Sequence, residues 1–262
     1  MSSFTVELLL NFKSYPLPKY IWNIAKNSTR AERLSCAASV VALLLCTALI
    51  VYFTVLAKKS DVNAVDRAPH PWNITREMWR ARPSPNNATV ERFSPVKLVI
   101  IQHSVSPECH RFTICAAEIR NLQSYFLDSP GLGYDLPYNF AIGNDGRVYR
   151  IRGWNREGAH TAPYNRCSVG IGFIGDYRED LTVHSRVTDL QLKRLNLIIQ
   201  EGVDRGYLRP DYSILGARDV ISTYSPGDNL YKAIQALDHY DTTNYRGLTC
   251  EQIQEMSEKE DP

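Results

Sequence analysis

The chain has 262 residues, enough for one or two domains of about 100–200 residues each and too few for a large multidomain machine. Apolar residues make up 44% and charged residues 22%, the balance of a chain that folds rather than one that stays disordered. Thirty Lys and Arg against 28 Asp and Glu leave a formal charge of +2, too small a basic excess to make nucleic acid the expected partner, and a negative mean hydropathy excludes a polytopic membrane protein.

Residues 1–33 carry five Lys or Arg, a few aromatics and no sustained periodicity, and are read as a cytoplasmic tail. Leu34 to Ala57 follows, 24 residues without a charge or a proline, where about 20 suffice to cross a hydrocarbon core. A cleaved signal peptide would have an apolar region of about 7–15 residues near the start of the chain, so the run is expected to be an uncleaved transmembrane helix. Lys19, Lys26, Arg30 and Arg33 precede it and Lys58, Lys59, Arg67 and Arg76 follow it, so basic residues do not decide its orientation. The glycosylation acceptors at Asn73 and Asn87, and the cysteines beyond them, place the C-terminal part outside the cell; Asn27-Ser28-Thr29 also fits the acceptor pattern, on the side read as cytoplasmic. Residues 58–71 are polar and end among Pro69 and Pro71, the composition of a stalk.

The outer domain is expected to span 72–241. Lys97–Gln102 is a short β-branched run of the kind that forms a buried strand. Ile114–Phe126 spaces Ile114, Ala117, Ile119, Leu122 and Tyr125 for an amphipathic helix, which Asp128, Ser129, Pro130 and Gly131 stop. Tyr138–Gly143, Arg147–Ile151 and Val169–Ile174 read as strands, the first two joined by a turn at Asn144-Asp145-Gly146. Helices are expected over Asp189–Gly206 and from about Asn229 to Leu237, and residues 242–262 are read as a flexible tail. Strands and helices intermix without a repeated βαβ unit, which implies an α/β domain with a mixed central sheet flanked by helices.

Several motifs occur in one order and spacing: Arg76-Glu77-Met78-Trp79-Arg80-Ala81-Arg82-Pro83, the strand ending in His103, Cys109 with Cys115, Tyr138-Asn139-Phe140, Asp145-Gly146-Arg147-Val148-Tyr149, Arg152-Gly153-Trp154, Gly158-Ala159-His160-Thr161, Gly170-Ile171-Gly172-Phe173-Ile174-Gly175 and Ser225-Pro226-Gly227. Together, over about Trp72 to Tyr240, they resemble the peptidoglycan recognition proteins. The resemblance implies the fold of the lysozyme-type amidases, with a groove that holds a muropeptide, and a disulfide between Cys109 and Cys115. Whether Cys167 and Cys250 pair is not legible from sequence, and Cys36 and Cys46 in the apolar run are read as packing residues.

In the amidase branch of this family two His and one Cys hold a zinc ion, whose bound water has a pKa near 7 and attacks as hydroxide. The first ligand is matched to His103, the second position reads Ala217 and the third Ser225. Ala217 has no donor atom and Ser225 offers a neutral hydroxyl, so no metal, cofactor or catalytic residue is expected and amidase activity is expected to be lost. Tyr138 and Thr223 stand where the family keeps polar assistants.

By resemblance, His103, Tyr138, Trp154, His160 and Arg166 line the groove. Arg166 matches an Arg that pairs with the extra carboxylate of diaminopimelic-acid stems, for which a guanidinium fork is suited; the alternative is a solvated surface Arg. Trp154 is read as a packing residue as much as a ligand contact. The expected function is a non-catalytic, membrane-anchored pattern receptor of innate immunity, which binds bacterial peptidoglycan or muropeptides or modulates other receptors of the family. Residues 1–33 hold no Ile/Val-Gln-Ile/Val-Gly core of the kind through which insect receptors of this sort signal. Two alternatives stay open: a zinc N-acetylmuramoyl-L-alanine amidase with altered ligands, and an interaction module that binds no peptidoglycan.

Overall fold

The computed structural model describes residues 26–67, 71–84 and 95–260. The chain divides near Asn63 into two compact units. Helix α1 spans Arg30–Arg67, the greater part of it in the first unit. It starts where Thr29 and Glu32 form a reciprocal cap: the Glu32 carboxylate accepts from the Thr29 N–H at 2.8 Å, and the Thr29 hydroxyl accepts from the Glu32 N–H. Arg30–Val55 is long and apolar enough to cross a membrane. Leu43, Leu44, Ile50 and Phe53 stand exposed, while the Ser39, Thr47 and Thr54 hydroxyls bond back to carbonyls of the helix itself. The helix continues to Arg67, through most of the segment read as a stalk, because that segment is polar but free of helix breakers until Pro69.

The second unit holds, among the described residues, one six-stranded sheet in the order β1-β4-β3-β5-β2-β6. The strands are β1 Asn73–Ile74, β2 Val96–His103, β3 Phe140–Ile142, β4 Val148–Arg150, β5 Ser168–Phe173 and β6 Leu208–Gly216. Only β3 and β4, joined by the turn at 144–146, run antiparallel among these pairs. The helices are α2 Phe112–Asp128, α3 Asp189–Asp204, α4 Ala217–Val220, α5 Asp228–Ile234 and α6 Cys250–Glu260. The mixed sheet with flanking helices agrees with the sequence expectation.

Side chains alternate across a strand, and here the alternation sorts the core into layers. Val99, Ile101, Phe140, Ile142, Val169, Ile171 and Phe173 point to one face, where Leu195, Ile198 and Ile199 of α3 cover them. Each such buried side chain contributes roughly 1.5–3 kcal/mol. On the opposite face there are two separate patches. Ala141 and Tyr149 pack under Cys115, Ala116 and Ile119 of α2. Leu98, Ile100, Leu215 and Ala217 pack under Tyr164, Tyr245, Cys250 and Ile253.

Several elements were not expected, the short α4 and a 3-10 turn at Tyr164–Cys167 among them, and three bear on the site. No strand is read over 208–216 because Arg209-Pro210-Asp211 interrupts the apolar pattern; the register shifts at that point, and β6 is an edge strand, where a missing N–H is tolerated. The two-residue β1 is too short for any periodicity. The flexible tail expected over 242–262 is instead tied down as far as α6. The Asp241 N–H donates to Ile214 O at 3.1 Å, the Tyr164 hydroxyl to Tyr245 O at 2.9 Å, and Cys250 is disulfide-bonded to Cys167. Polar composition hid a strap whose few apolar residues, Tyr245 and Ile253, are buried. The second disulfide joins Cys109 and Cys115, as the resemblance implies.

Candidate functional site

β5 lies between the two patches, and toward them it presents Ser168, Gly170 and Gly172 while Ile171 and Phe173 face α3. With no Cβ on the two glycines, a trough opens along the middle of the sheet. Two rings occupy it. The His160 imidazole lies over Gly170 and Gly158, where an added Cβ would collide with its Cδ2, and the Tyr138 ring lies over Gly172, where a Cβ would come within 2.7 Å of Cδ2. Asn139 fixes both neighbours. Its carboxamide is buried, donates to Gly153 O and Arg156 O, and accepts from the Gly170 N–H at 2.9 Å, which pins the loop carrying His160 to β5.

Gln102 stands beside these rings, opposite Gly172 in the register. Its Nε2 donates to His160 O at 2.6 Å and to Thr161 Oγ1 at 2.8 Å, and Thr161 Oγ1 lies 3.0 Å from His160 Nδ1. The Tyr138 hydroxyl donates to His103 O at 3.1 Å, and burial holds its pKa well above the ordinary tyrosine value. Tyr138 is thus a neutral donor at any physiological pH.

His103 corrects the sequence expectation. As the next residue on β2 it points to the opposite face from Gln102, and it is 5% exposed. Its Nδ1 accepts from the Tyr177 N–H at 3.2 Å and lies 3.7 Å from Asp176 Oδ1. Burial pushes its pKa down to about 4 against the opposing Asp176 charge, with Arg178 and Arg218 adding to the depression. It is a buried neutral histidine and not a groove contact. Trp154 is a second correction: it lies in the α3 layer, stacked on Tyr207 at 5.5 Å and tilted against Phe140 at 4.6 Å, with Nε1 toward Glu201. A large apolar ring with one N–H is best satisfied inside the core, next to a carboxylate.

The positions matched to zinc ligands converge at the C-terminal ends of β2 and β6. Ile101 pairs with Gly216, Ser225 Oγ accepts from the His103 N–H at 3.2 Å, and the Arg218 N–H donates to Ser225 O at 3.0 Å. Ala217 faces the same side as Leu98 and Ile100, so the β2 side chain that shares its face is Gln102, and a ligand set bridging these strands would draw on Gln102 and not on His103. Gln102, Ala217 and Ser225 offer no imidazole, thiolate or carboxylate and do not fit zinc. Among the described residues no cluster of three His, Cys, Asp or Glu could hold a metal ion.

Arg166 sits in the single turn of 3-10 helix Tyr164–Cys167 that leads into β5, exposed beside a cleft of about 420 Å³. Tyr164, Val220 and Leu248 form apolar walls there, and Glu251 of α6 lies across from Arg166, Oε1 to Nη1 3.9 Å. Of the expected groove residues, then, Tyr138 and His160 meet in the trough, Arg166 stands by a cleft next to the turn that follows His160, and His103 and Trp154 belong to the packing. Gln102 was missed, although a lone polar residue at the end of an apolar strand was a usable signal. Glu251 had no sequence signal, since only tertiary links, the Cys167–Cys250 disulfide and the Tyr164 hydrogen bonds, bring it near Arg166. Of the two expected glycosylation sites, Asn73 is half-buried in β1 and its Nδ2 donates to Glu201 at 3.0 Å, a bond that a glycan on that nitrogen would break; Asn87 lies outside the described residues.

A family model described as N-acetylmuramoyl-L-alanine amidase matches residues 92–228. The chain is 46% identical over 147 residues to the peptidoglycan recognition protein of Trichoplusia ni, covering 56% of this chain and 77% of that one. It is 42% identical over 170 residues to peptidoglycan recognition protein 1 of Mus musculus, covering 64% and 88%. Among solved structures it is similar to peptidoglycan recognition protein-LE in complex with tracheal cytotoxin, a monomeric diaminopimelic acid-type peptidoglycan, at 34% identity and a TM-score of 0.60, covering 64% of this chain and 96% of that one.

Proposed function

The chain belongs to the peptidoglycan recognition protein family, and from that premise we propose that its outer domain binds muropeptides without cutting them. The observation that carries this reading is the donor set at the ends of β2 and β6: a carboxamide, a methyl group and a hydroxyl stand where hydrolysis needs a metal that makes hydroxide at neutral pH. Binding does not depend on such a metal. A trough floored by the largely buried Tyr138, with the half-buried His160 ring above Gly170 and the guanidinium of Arg166 on the turn that follows, supplies the apolar surface and the few placed polar groups that a sugar-peptide ligand requires.

Arg166 is the residue we assign to the second carboxylate of a diaminopimelic-acid stem, for which a planar fork of donors is matched in shape and charge. The relative solved with tracheal cytotoxin supports a ligand of that class. Helix α1 is assigned as the membrane anchor, with the outer domain extracellular, which makes the protein a receptor or receptor modulator of innate immunity.

Metal analysis and muropeptide-release assays on the purified chain test the non-catalytic assignment. Substoichiometric zinc and no free stem peptide are expected, whereas stoichiometric zinc with peptide release would refute it. Calorimetry with a diaminopimelic-type monomer tests binding: heat with the wild type and a loss of affinity in Arg166→Ala are expected, and the absence of heat would leave an interaction module that binds no peptidoglycan. Alkaline carbonate extraction and protease protection in microsomes test the anchor and its orientation.

A further inference from the structure

We propose that Arg166 and Glu251 together form a subsite that reads a zwitterion, in which Arg166 takes a carboxylate and Glu251 selects a free ammonium on the same carbon. The inference rests on the assignment of Arg166 to the ligand's carboxylate made above. It adds a residue from α6, which lies outside the segment matched by the family model.

Both charges line the one cleft, 3.9 Å apart and half-exposed, at 48% and 60% for the two side chains. The backbones that carry them are held together by covalent structure. Cys167 follows Arg166, Cys250 precedes Glu251, and the two cysteines are disulfide-bonded, so the turn bearing the cation and the helix bearing the anion are fixed to each other. Tyr164 ties them a second time, since its hydroxyl donates to Tyr245 O and accepts from the Gly247 N–H. Hydrogen bonds from its own N–H and from Thr249 hold the Glu251 carboxyl below the usual glutamate range, so it is charged wherever the ligand would be.

A lone guanidinium accepts any carboxylate. With an anion beside it, a simple carboxylate is repelled, while an amino-acid end offers the ammonium that neutralises Glu251. The uncrosslinked end of diaminopimelic acid is such a group, whereas crosslinking through its nitrogen removes the ammonium. An exposed Arg–Glu pair is worth little to the free protein, so opening it to admit the ligand costs little.

The test is calorimetry on the full chain in detergent micelles with three probes: a diaminopimelic-type monomer with its amino-acid end free, the same monomer N-acetylated there, and the same monomer with the end carboxylate amidated. The wild type is expected to bind the free form about fivefold more tightly than the N-acetylated one, near the upper end for an exposed ion pair. Glu251→Gln should abolish that preference and leave the N-acetylated probe bound at least as tightly as before. A Glu251→Gln protein that keeps the full preference overturns the proposal for Glu251, even where Arg166→Ala still loses discrimination between carboxylate and amide. If the wild type binds none of the probes, or Arg166→Ala binds all three as the wild type does, the assignment of Arg166 itself fails and the subsite falls with it.

Discussion

Protonation of His103 gives the most direct check on the geometry of the sheet end. The imidazole is buried, its Nδ1 is an acceptor for the Tyr177 N–H, and its pKa is about 4, below the value near 6.5 expected in the unfolded chain. Because the folded value is the lower one, the unfolded state takes up the proton first, so the stabilisation is fully present above about pH 6.5 and is lost as the pH falls toward 4. With these two values the loss between pH 7 and pH 5 is about 2 kcal/mol. His103→Asn places a non-titrating oxygen near the position of Nδ1 and removes this dependence. Urea unfolding of the outer domain, followed by tryptophan fluorescence at both pH values, should show the wild type losing about 2 kcal/mol more than the variant. Parallel losses in the two proteins would mean that His103 is solvated or already charged, and the assignment of its ring to the interior would be wrong.

Three further outcomes follow from the same packing. Trp154→Ala should cost about 3–5 kcal/mol of stability, read from urea midpoints, and once refolded conditions are matched it should leave muropeptide affinity within about twofold, because the ring belongs to the α3 layer. Gly170→Ala or Gly172→Ala should cut affinity at least tenfold in calorimetry, since the new methyl displaces His160 or Tyr138 from the trough floor; unchanged affinity would show that those rings do not form the binding surface. Replacing Cys167 and Cys250 together by Ser opens a link between residues 83 apart and should lower stability by about 4.5 kcal/mol on a loop-entropy basis, with faster amide exchange over 241–260.

Much of the fold was legible because its elements carry their own local signals. The apolar run after Leu34, the β-branched strand before His103 and the amphipathic spacing of α2 and α3 are properties of neighbouring residues. The motifs that resemble the family also set the sheet and the Cys109–Cys115 disulfide. Less of the candidate site was legible. His103 and Gln102 are adjacent in sequence, yet a strand sends them to opposite faces, and a match by motif does not say which of the two enters the groove. The sequence suits Trp154 to two roles, and only the layer beneath α3 assigns it to packing.

From composition and order of residues alone came the apolar helix, the α/β class, the family motifs and the absence of ligating side chains at positions 217 and 225, since each depends on residue type or short-range spacing. Tertiary structure alone decided which face each β2 side chain occupies, that Cys250 reaches Cys167 across a separation of 83 residues, and that Glu251 thereby faces Arg166. Those facts depend on how distant segments meet, and no local pattern encodes the meeting of a strap with a turn whose contacts are made one residue at a time.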